Sequence, residues 1–311
     1  MNLFKQLAQT AIRRLTARAP WGVRQAMLEG YLDHGYDTQR ANLRLLRMLN
    51  ITEIGADGDR GVITSSWNDR FGLLEYAATG TIALTVTKEM LGFFGAELGT
   101  YMDVGANIGL TTIPFARKPT IRCLAFEPEP VNFGHLERNV SRNAEGASIE
   151  LHPVALFDKH GTMSMGLADM NLGDHRLTRG AVSDRRTIEV PVVPLDDFLD
   201  RVEGRLAVKV DTQGAEPFVV AGGKGVFARA GLIAIEFCPY LMRQLGGDPG
   251  IVIDLVAGFD RVAIIGGGKT EAPCYGSPIV ARELLENKLQ TAADTDEDYL
   301  DILAVRSNIS S

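Results

Sequence analysis

The run Tyr101-Met-Asp103-Val-Gly105-Ala-Asn107-Ile-Gly109 places one acid and two spaced glycines behind a short apolar stretch. A strand that ends in an acid and turns through glycine into a helix, here starting near Gly109, can present backbone N–H groups and a helix N-terminus to a ligand. Gly105 has no Cβ and permits close backbone approach. A second acid, Glu127, follows 24 residues after Asp103, between Phe126 and Pro128 at the end of the apolar stretch 121–126. The spacing is near the roughly 20 residues expected for the acid that holds a ribose in a βαβ unit. A carboxylate at that strand tip accepts hydrogen bonds from both ribose hydroxyls. Either acid alone reads as an ordinary strand end. Together, flanking a glycine turn, they read as a nucleoside site.

The turn discriminates among nucleoside cofactors. The dinucleotide fingerprint G-x-G-x-x-G needs glycine at its second position so that pyrophosphate can approach. Asn107 stands there, and Leu110 stands at the third position. S-adenosyl-L-methionine has no pyrophosphate and tolerates the side chain better, and Asn107 could bond its amino-acid portion. Two alternatives stay open: an NAD-binding Rossmann dehydrogenase and a non-catalytic cofactor-binding module.

If such a cofactor gives up its methyl group, the acceptor needs in-line alignment, and a hydroxyl acceptor also needs a group to take its proton. Asp211 ends a fourth apolar stretch, Glu236 lies near the end of a fifth, and Glu216 starts the helix after Asp211. If the two strands are neighbours, Asp211 and Glu236 converge on the acceptor, with Glu216 next in line. Glu216 equally suits a helix start, where an acid is favourable. Two convergent acids could hold Mg²⁺, but an oxygen cage needs more ligands than can be assigned, so no metal is expected. His135 falls on a helix surface, His152 beside Pro153 and His160 before Gly161. His175 is the histidine to test as a base.

The elements that must position these residues follow an alternating pattern. Apolar stretches at 100–104, 121–126, 149–155, 206–210, 231–237, 261–266 and 299–305 predict strands. Helices are expected at 109–117, 129–143, 215–221 and 240–257. In the second of these Pro130 sits in the first turn, with Val131, Leu136 and Val140 on one face. Alternation of this kind predicts an α/β fold with a mostly parallel sheet, and the last two strands permit an antiparallel edge pair. Residues 166–188 break the rhythm and carry Arg176, Arg179, Arg185 and Arg186. They suit a lid over an acidic or hydroxylated substrate, or a solvated loop.

Residues 1–95 differ in texture and are expected to form an N-terminal helical or mixed extension to a domain spanning 96–311. Residues 1–18 are amphipathic, with Leu3, Phe4, Leu7, Ile12 and Leu15 among Lys5, Arg13, Arg14 and Arg18. Such a helix packs on protein or makes peripheral membrane contact. A second helical stretch runs near 38–50, 55–61 is turn-like, and 61–90 suggests short strands. The chain has 311 residues, 45% hydrophobic and 23% charged, with net charge −7. That supports a full core and argues against nucleic acid as a partner. No apolar run reaches the length of a membrane span. Cys123, Cys238 and Cys274 cannot all pair and show no metal spacing, so a reducing compartment, the cytoplasm, is expected. Oligomeric state is not encoded in any motif.

DVGANIG, AFEPEPVNFGHLERNV, HPVALFDKHGTMSM, VPVVPLDDFL, VKVDTQGAEPFVVAGG and AIEFCP, in that order, resemble the FkbM family of methyltransferases over about residues 100–240. The resemblance implies a Rossmann-like class I methyltransferase sheet of seven strands, mostly parallel, with helices on both faces and an antiparallel edge strand. It also implies S-adenosyl-L-methionine as donor and usually O-methylation, with a hydroxyl of a sugar, glycolipid or other small metabolite as acceptor. On this likeness Asp103, Gly105, Asn107 and Gly109 line the methionine side. Glu127, beside Pro128, takes the ribose. Val154, Ala155 and nearby Asp158 fall where adenine is held, and Asp211-Thr-Gln213-Gly214-Ala-Glu216 fits the family's D-x-x-G-x-E segment.

Overall fold

The computed structural model describes residues 53–66, 69, 73, 76–77, 80, 85–169, 171–180, 185–266, 272–296 and 298–307. The helices expected at 1–18 and 38–50 lie outside them. The chain divides into two compact units, Met1–Ile82 with Asp169–Gly173, and Ala83–Ala168 with Asp174–Ser311.

In the first unit β1 (Glu53–Gly58) and β2 (Gly61–Ser66) form an antiparallel hairpin in which Gly58 faces Gly61. The turn expected over 55–61 is thus only Asp59-Arg60. Tyr76 clasps it: its hydroxyl accepts from the Arg60 N–H at 2.8 Å and donates to the Gly61 carbonyl at 2.7 Å.

The second unit opens with helix α1 (Thr85–Phe94), in a stretch where short strands were expected. Its main sheet has seven strands in the order β12-β13-β11-β10-β3-β4-β5. These are β3 (Gly99–Val104), β4 (Ile121–Phe126), β5 (Ile149–His152), β10 (Arg205–Val210), β11 (Leu232–Phe237), β12 (Arg261–Gly266) and β13 (Leu300–Val305). β10, β3, β4, β5 and β11 pair in parallel, and β13 runs antiparallel to both β11 and β12. The antiparallel strand is therefore one place in from the edge, because the chain returns from β12 into the gap beside β11.

Strands buried on both faces read as continuous apolar runs. Every residue of β3 is buried, and alternate side chains enter two cores. Tyr101, Cys123, Ala207 and Ala234 pack with Met90 and Phe94 of α1 and with Phe115 of α2 (Ile113–Ala116). Met102, Leu124, Val208 and Ile233 pack with the other layer, which includes Val219 of α4 (Glu216–Gly222) and Phe227 of α5 (Lys224–Arg229). Val252 of α7 (Gly250–Ala257) and Leu285 of α8 (Pro278–Thr291) belong to the same layer.

Three expectations change. The helix placed at 109–117 begins only at Ile113, because Asn107 (φ 50°) and Gly109 (φ 93°) are left-handed. The helix placed at 240–257 is two helices, α6 (Pro239–Gln244) and α7. After α6 the Gly246 N–H bonds the Arg243 carbonyl and the Gly247 N–H bonds that of Met242, a Schellman ending with Gly246 at φ 79°. The strand placed at 149–155 stops at His152, since Pro153 has no N–H and Val154 folds back to donate to the His152 carbonyl.

The chain then builds a second sheet, β6-β9-β7-β8, from β6 (Ala155–Phe157), β7 (Gly161–Leu167), β8 (Arg176–Thr178) and β9 (Arg186–Pro194). Residues 166–167, 176–178 and 186–188 of the segment expected as a lid or loop are thus strand. Helix α3 (Pro130–Asn143) starts where expected, with Glu129 as N-cap bonding the Asn132 N–H at 2.7 Å. Its Leu136 and Val140 are buried, but Val131 is exposed.

Candidate functional site

The site forms at the carboxyl ends of β3, β4, β10 and β11, which are adjacent in the sheet. Asp103 is fully buried. Its Oδ2 accepts from the hydroxyls of Thr111 (2.8 Å) and Thr112 (2.7 Å), so it ties the far end of the turn back to β3. Gly105 sits at φ 81°, and a Cβ there would lie 1.9 Å from the Asp211 carbonyl. The close approach it permits is that of the Asp211 backbone, just after β10.

The turn's amides are engaged internally. Gly105 and Ala106 N–H both donate to the Phe126 carbonyl, and the Asn107 N–H donates to Glu127 Oε2 at 2.9 Å. These three amides serve the turn itself, where the sequence suggested amides turned to a ligand. Asn139 of α3 adds a bond to the Ile108 carbonyl at 2.8 Å.

Glu127 is 6% exposed. Its Oε1 accepts from the Glu129 N–H at 2.9 Å. Burial pushes its carboxyl up to about 7, partly offset by the two amides and by Lys209. Glu127 thus pins the turn to the tip of β4, and each oxygen keeps a further lone pair. Pro128 is half-buried beside it. Val154 packs against the larger core and Ala155 is buried at the start of β6. Asp158 is exposed and lies against Gly222, at the end of α4 remote from Asp211, so it is not brought to the other residues.

Opposite the turn, Asp211 and Glu236 meet through Gln213. One amide nitrogen, Gln213 Nε2, donates to Asp211 Oδ1 and to Glu236 Oε2, each at 3.0 Å. Gln213 holds a left-handed backbone (φ 56°). Glu216 fixes that loop: Oε1 accepts from the Thr212 N–H (2.8 Å) and hydroxyl (2.9 Å), and Oε2 from the Gly214 N–H (3.0 Å). It is fully buried, with its carboxyl pushed up by burial to about 7, and it clasps the loop rather than facing an acceptor. Glu236 is driven well above the usual carboxylate range by burial, then by Asp211, Glu216 and Asp301. Asp301, its partner across β11 and β13, is lifted by burial and Asp211 to about 6. Lys209 is buried behind this cluster, its charge retained by Asp211 and Asp103.

Sequence reasoning missed Lys209 and Asp301 and gave Gln213 no role. The signal for Lys209 was a lone charge inside the apolar run Leu206–Val210. The histidines resolve differently from expectation. His135 is buried, not surface. His175 accepts the Ala168 N–H at Nδ1 (3.0 Å), and burial holds it down at about 4. A neutral ring whose acceptor nitrogen is engaged is a poor base. Arg176 pairs with Asp174 and Asp296, Arg185 pairs with Asp174, and Arg179 lies over the Phe218 ring.

Residues 103–257 match the methyltransferase FkbM domain. The chain carries an FkbM methyltransferase domain. Its FkbM segment contains the turn, Glu127, the Asp211–Glu216 loop and Glu236. The chain is 31% identical over 145 residues to "Methyltransferase 1" of Beauveria bassiana, covering 39% of this chain and 57% of that protein. It is 25% identical over 207 residues to "2-O-methyltransferase NoeI" of Sinorhizobium fredii, covering 59% of this chain and 81% of that protein. Among solved structures, the O-methyltransferase TomG from Streptomyces achromogenes matches 72% of this chain and 79% of its own. The TM-score is 0.38 and the identity 12%. The magnesium protoporphyrin IX methyltransferase of Synechocystis matches 72% and 78%, with TM-score 0.36 and 11% identity. Likeness this slight carries no weight for function.

S-adenosyl-L-methionine is the cofactor of the FkbM domain. The residues present fit it. Asn107 Oδ1 is buried without a protein partner, an acceptor suited to an ammonium group. Each Glu127 oxygen accepts one backbone N–H and keeps a lone pair, an arrangement able to accept from ribose hydroxyls. Among the described residues no helix is long and apolar enough to cross a membrane.

Proposed function

We propose that the protein is an S-adenosyl-L-methionine-dependent O-methyltransferase acting on a hydroxyl of a sugar, glycolipid or other small metabolite. The observation that carries the reading is the meeting of Asp211 and Glu236 on Gln213 at the same sheet edge as the Asn107–Glu127 pair. The bound cofactor supplies an electrophilic methyl group. The chain's own residues hold the acceptor and take its proton. Asp211, 40% exposed, is the acceptor-facing base. Glu236 is the paired carboxyl, protonated when Asp211 is ionised, because two carboxylates on one amide repel each other. Glu216 orders the loop between them. Asp103, Gly105 and Gly109 shape the turn, Asn107 receives the amino-acid end, Glu127 and Pro128 the ribose, and Val154 and Ala155 the base. The 2-O-methyltransferase name of the Sinorhizobium relative supports oxygen as the accepting atom. Residues 1–95 are proposed as an extension and 96–311 as the cofactor domain.

Calorimetric titration tests the reading. S-adenosylhomocysteine is expected to bind in the micromolar range and NAD not at all. Tight NAD binding with no response to S-adenosylhomocysteine overturns it. Cofactor binding without methyl transfer to any hydroxylated acceptor in a broad extract screen favours a binding module instead.

A further inference from the structure

We infer that Lys209 is a positioning residue that couples the charge of Asp211 to the shape of the cofactor turn. The inference rests on the proposed function for the identity of the two half-sites. Its substance is a contact set that joins them. Lys209 Nζ lies 3.4 Å from Asp103 Oδ1, 3.5 Å from Asp211 Oδ2 and 3.4 Å from the Gly105 carbonyl oxygen. These atoms belong to the end of β3, the residue after β10 and the first residue of the turn. An ammonium has three donors and no acceptor, and each of these three oxygens lies within its reach.

A buried ammonium persists only when compensating charge is close. Two carboxylates compensate Lys209, and they are not alike. Asp103 is closed off, with its other oxygen held by Thr111 and Thr112. Asp211 is open, and its other oxygen is held by the Gln213 amide. Removing the charge of Asp211 takes away the carboxylate in direct contact on that side, and so draws the ammonium toward Asp103 and the Gly105 carbonyl. Coupling of this kind is reciprocal, so a ligand that settles the turn also fixes Lys209 against Asp211.

The test reads binding alone and needs no acceptor. The affinity for S-adenosylhomocysteine is measured by calorimetry for the unaltered protein, Asp211→Asn, Lys209→Met and the double variant. Because Lys209→Met strands the buried Asp103, the cycle is repeated on an Asp103→Asn/Lys209→Met background, which removes both charges together. Asp211→Asn is expected to change the affinity about fivefold or more in the unaltered protein. The change is expected to vanish in both Lys209→Met backgrounds. An equal change in all backgrounds, or none in the unaltered one, overturns the coupling and leaves the proposed function standing. Failure of the unaltered protein to bind S-adenosylhomocysteine overturns both. A lysine that only filled space would lower affinity without altering the effect of Asp211→Asn.

Discussion

Glu127 and Glu216 are carboxyls whose oxygens are all engaged by backbone amides or a hydroxyl, yet burial lifts both to about 7. An unfolded glutamate titrates near 4.3. Between these values the folded chain holds protons that the unfolded chain releases. Stability therefore falls as pH rises through that window and levels off above about 7. Thermal melting from about pH 5 to 8 should show the midpoint dropping, and Glu216→Gln should flatten the slope. A midpoint that climbs over the same range contradicts the assignment. Glu127→Ala removes the proposed ribose acceptor and also orphans the Asn107 and Glu129 amides. The loss in S-adenosylhomocysteine affinity should be on the order of 1.5–3 kcal/mol. Because the residue is buried, the melting midpoint should fall as well. Unchanged affinity in a folded variant would show that the ribose lies elsewhere.

At the scale of elements, the turn after β3 depends on Gly105. Its φ of 81° and the 1.9 Å approach to the Asp211 carbonyl leave no room for a methyl group. Gly105→Ala must push β10 and the turn apart, with an expected cost on the order of 3 kcal/mol and loss of cofactor binding. Urea unfolding measures the first and calorimetry the second, and a variant as stable as the parent would disprove the packing. The central strands were legible because burial on both faces writes itself as an apolar run. β3, β4, β10 and β11 fall within a residue of their expected bounds. The second sheet was not legible. β8 has three residues, too few for a period, and in β9 the alternation of Ile188, Val190 and Val192 with exposed neighbours is interrupted by Pro191, a residue that argues against a strand. The site divides the same way. Asp103, Glu127, Asp211 and Glu236 could be found from strand ends. Lys209 was marked only as a charge inside an apolar run, and its partners, like the places of Gln213 and Asp301, follow from cross-strand register and one left-handed residue, which no local pattern specifies.

Across the second unit, Arg176 and Arg185 serve the small sheet. Arg176 and Arg185 both hold Asp174, so they are not free to receive an acidic acceptor. Arg176→Ala should lower the melting midpoint and leave S-adenosylhomocysteine affinity unchanged, as differential scanning calorimetry and titration would show together. A change in affinity with no change in midpoint would return this arginine to the ligand. The main sheet has its own asymmetry, because β13 lies between β11 and β12 although it follows both in the chain. During synthesis β12 therefore emerges with no strand beside it and waits while α8 is made. Among the described residues its outer flank meets the bridge between Val262 and Gly276 and no strand. The nascent chain thus carries two open strand edges until its last strand slots between them. That interval is when the protein is most exposed to mispairing with a neighbouring copy and most in need of a chaperone.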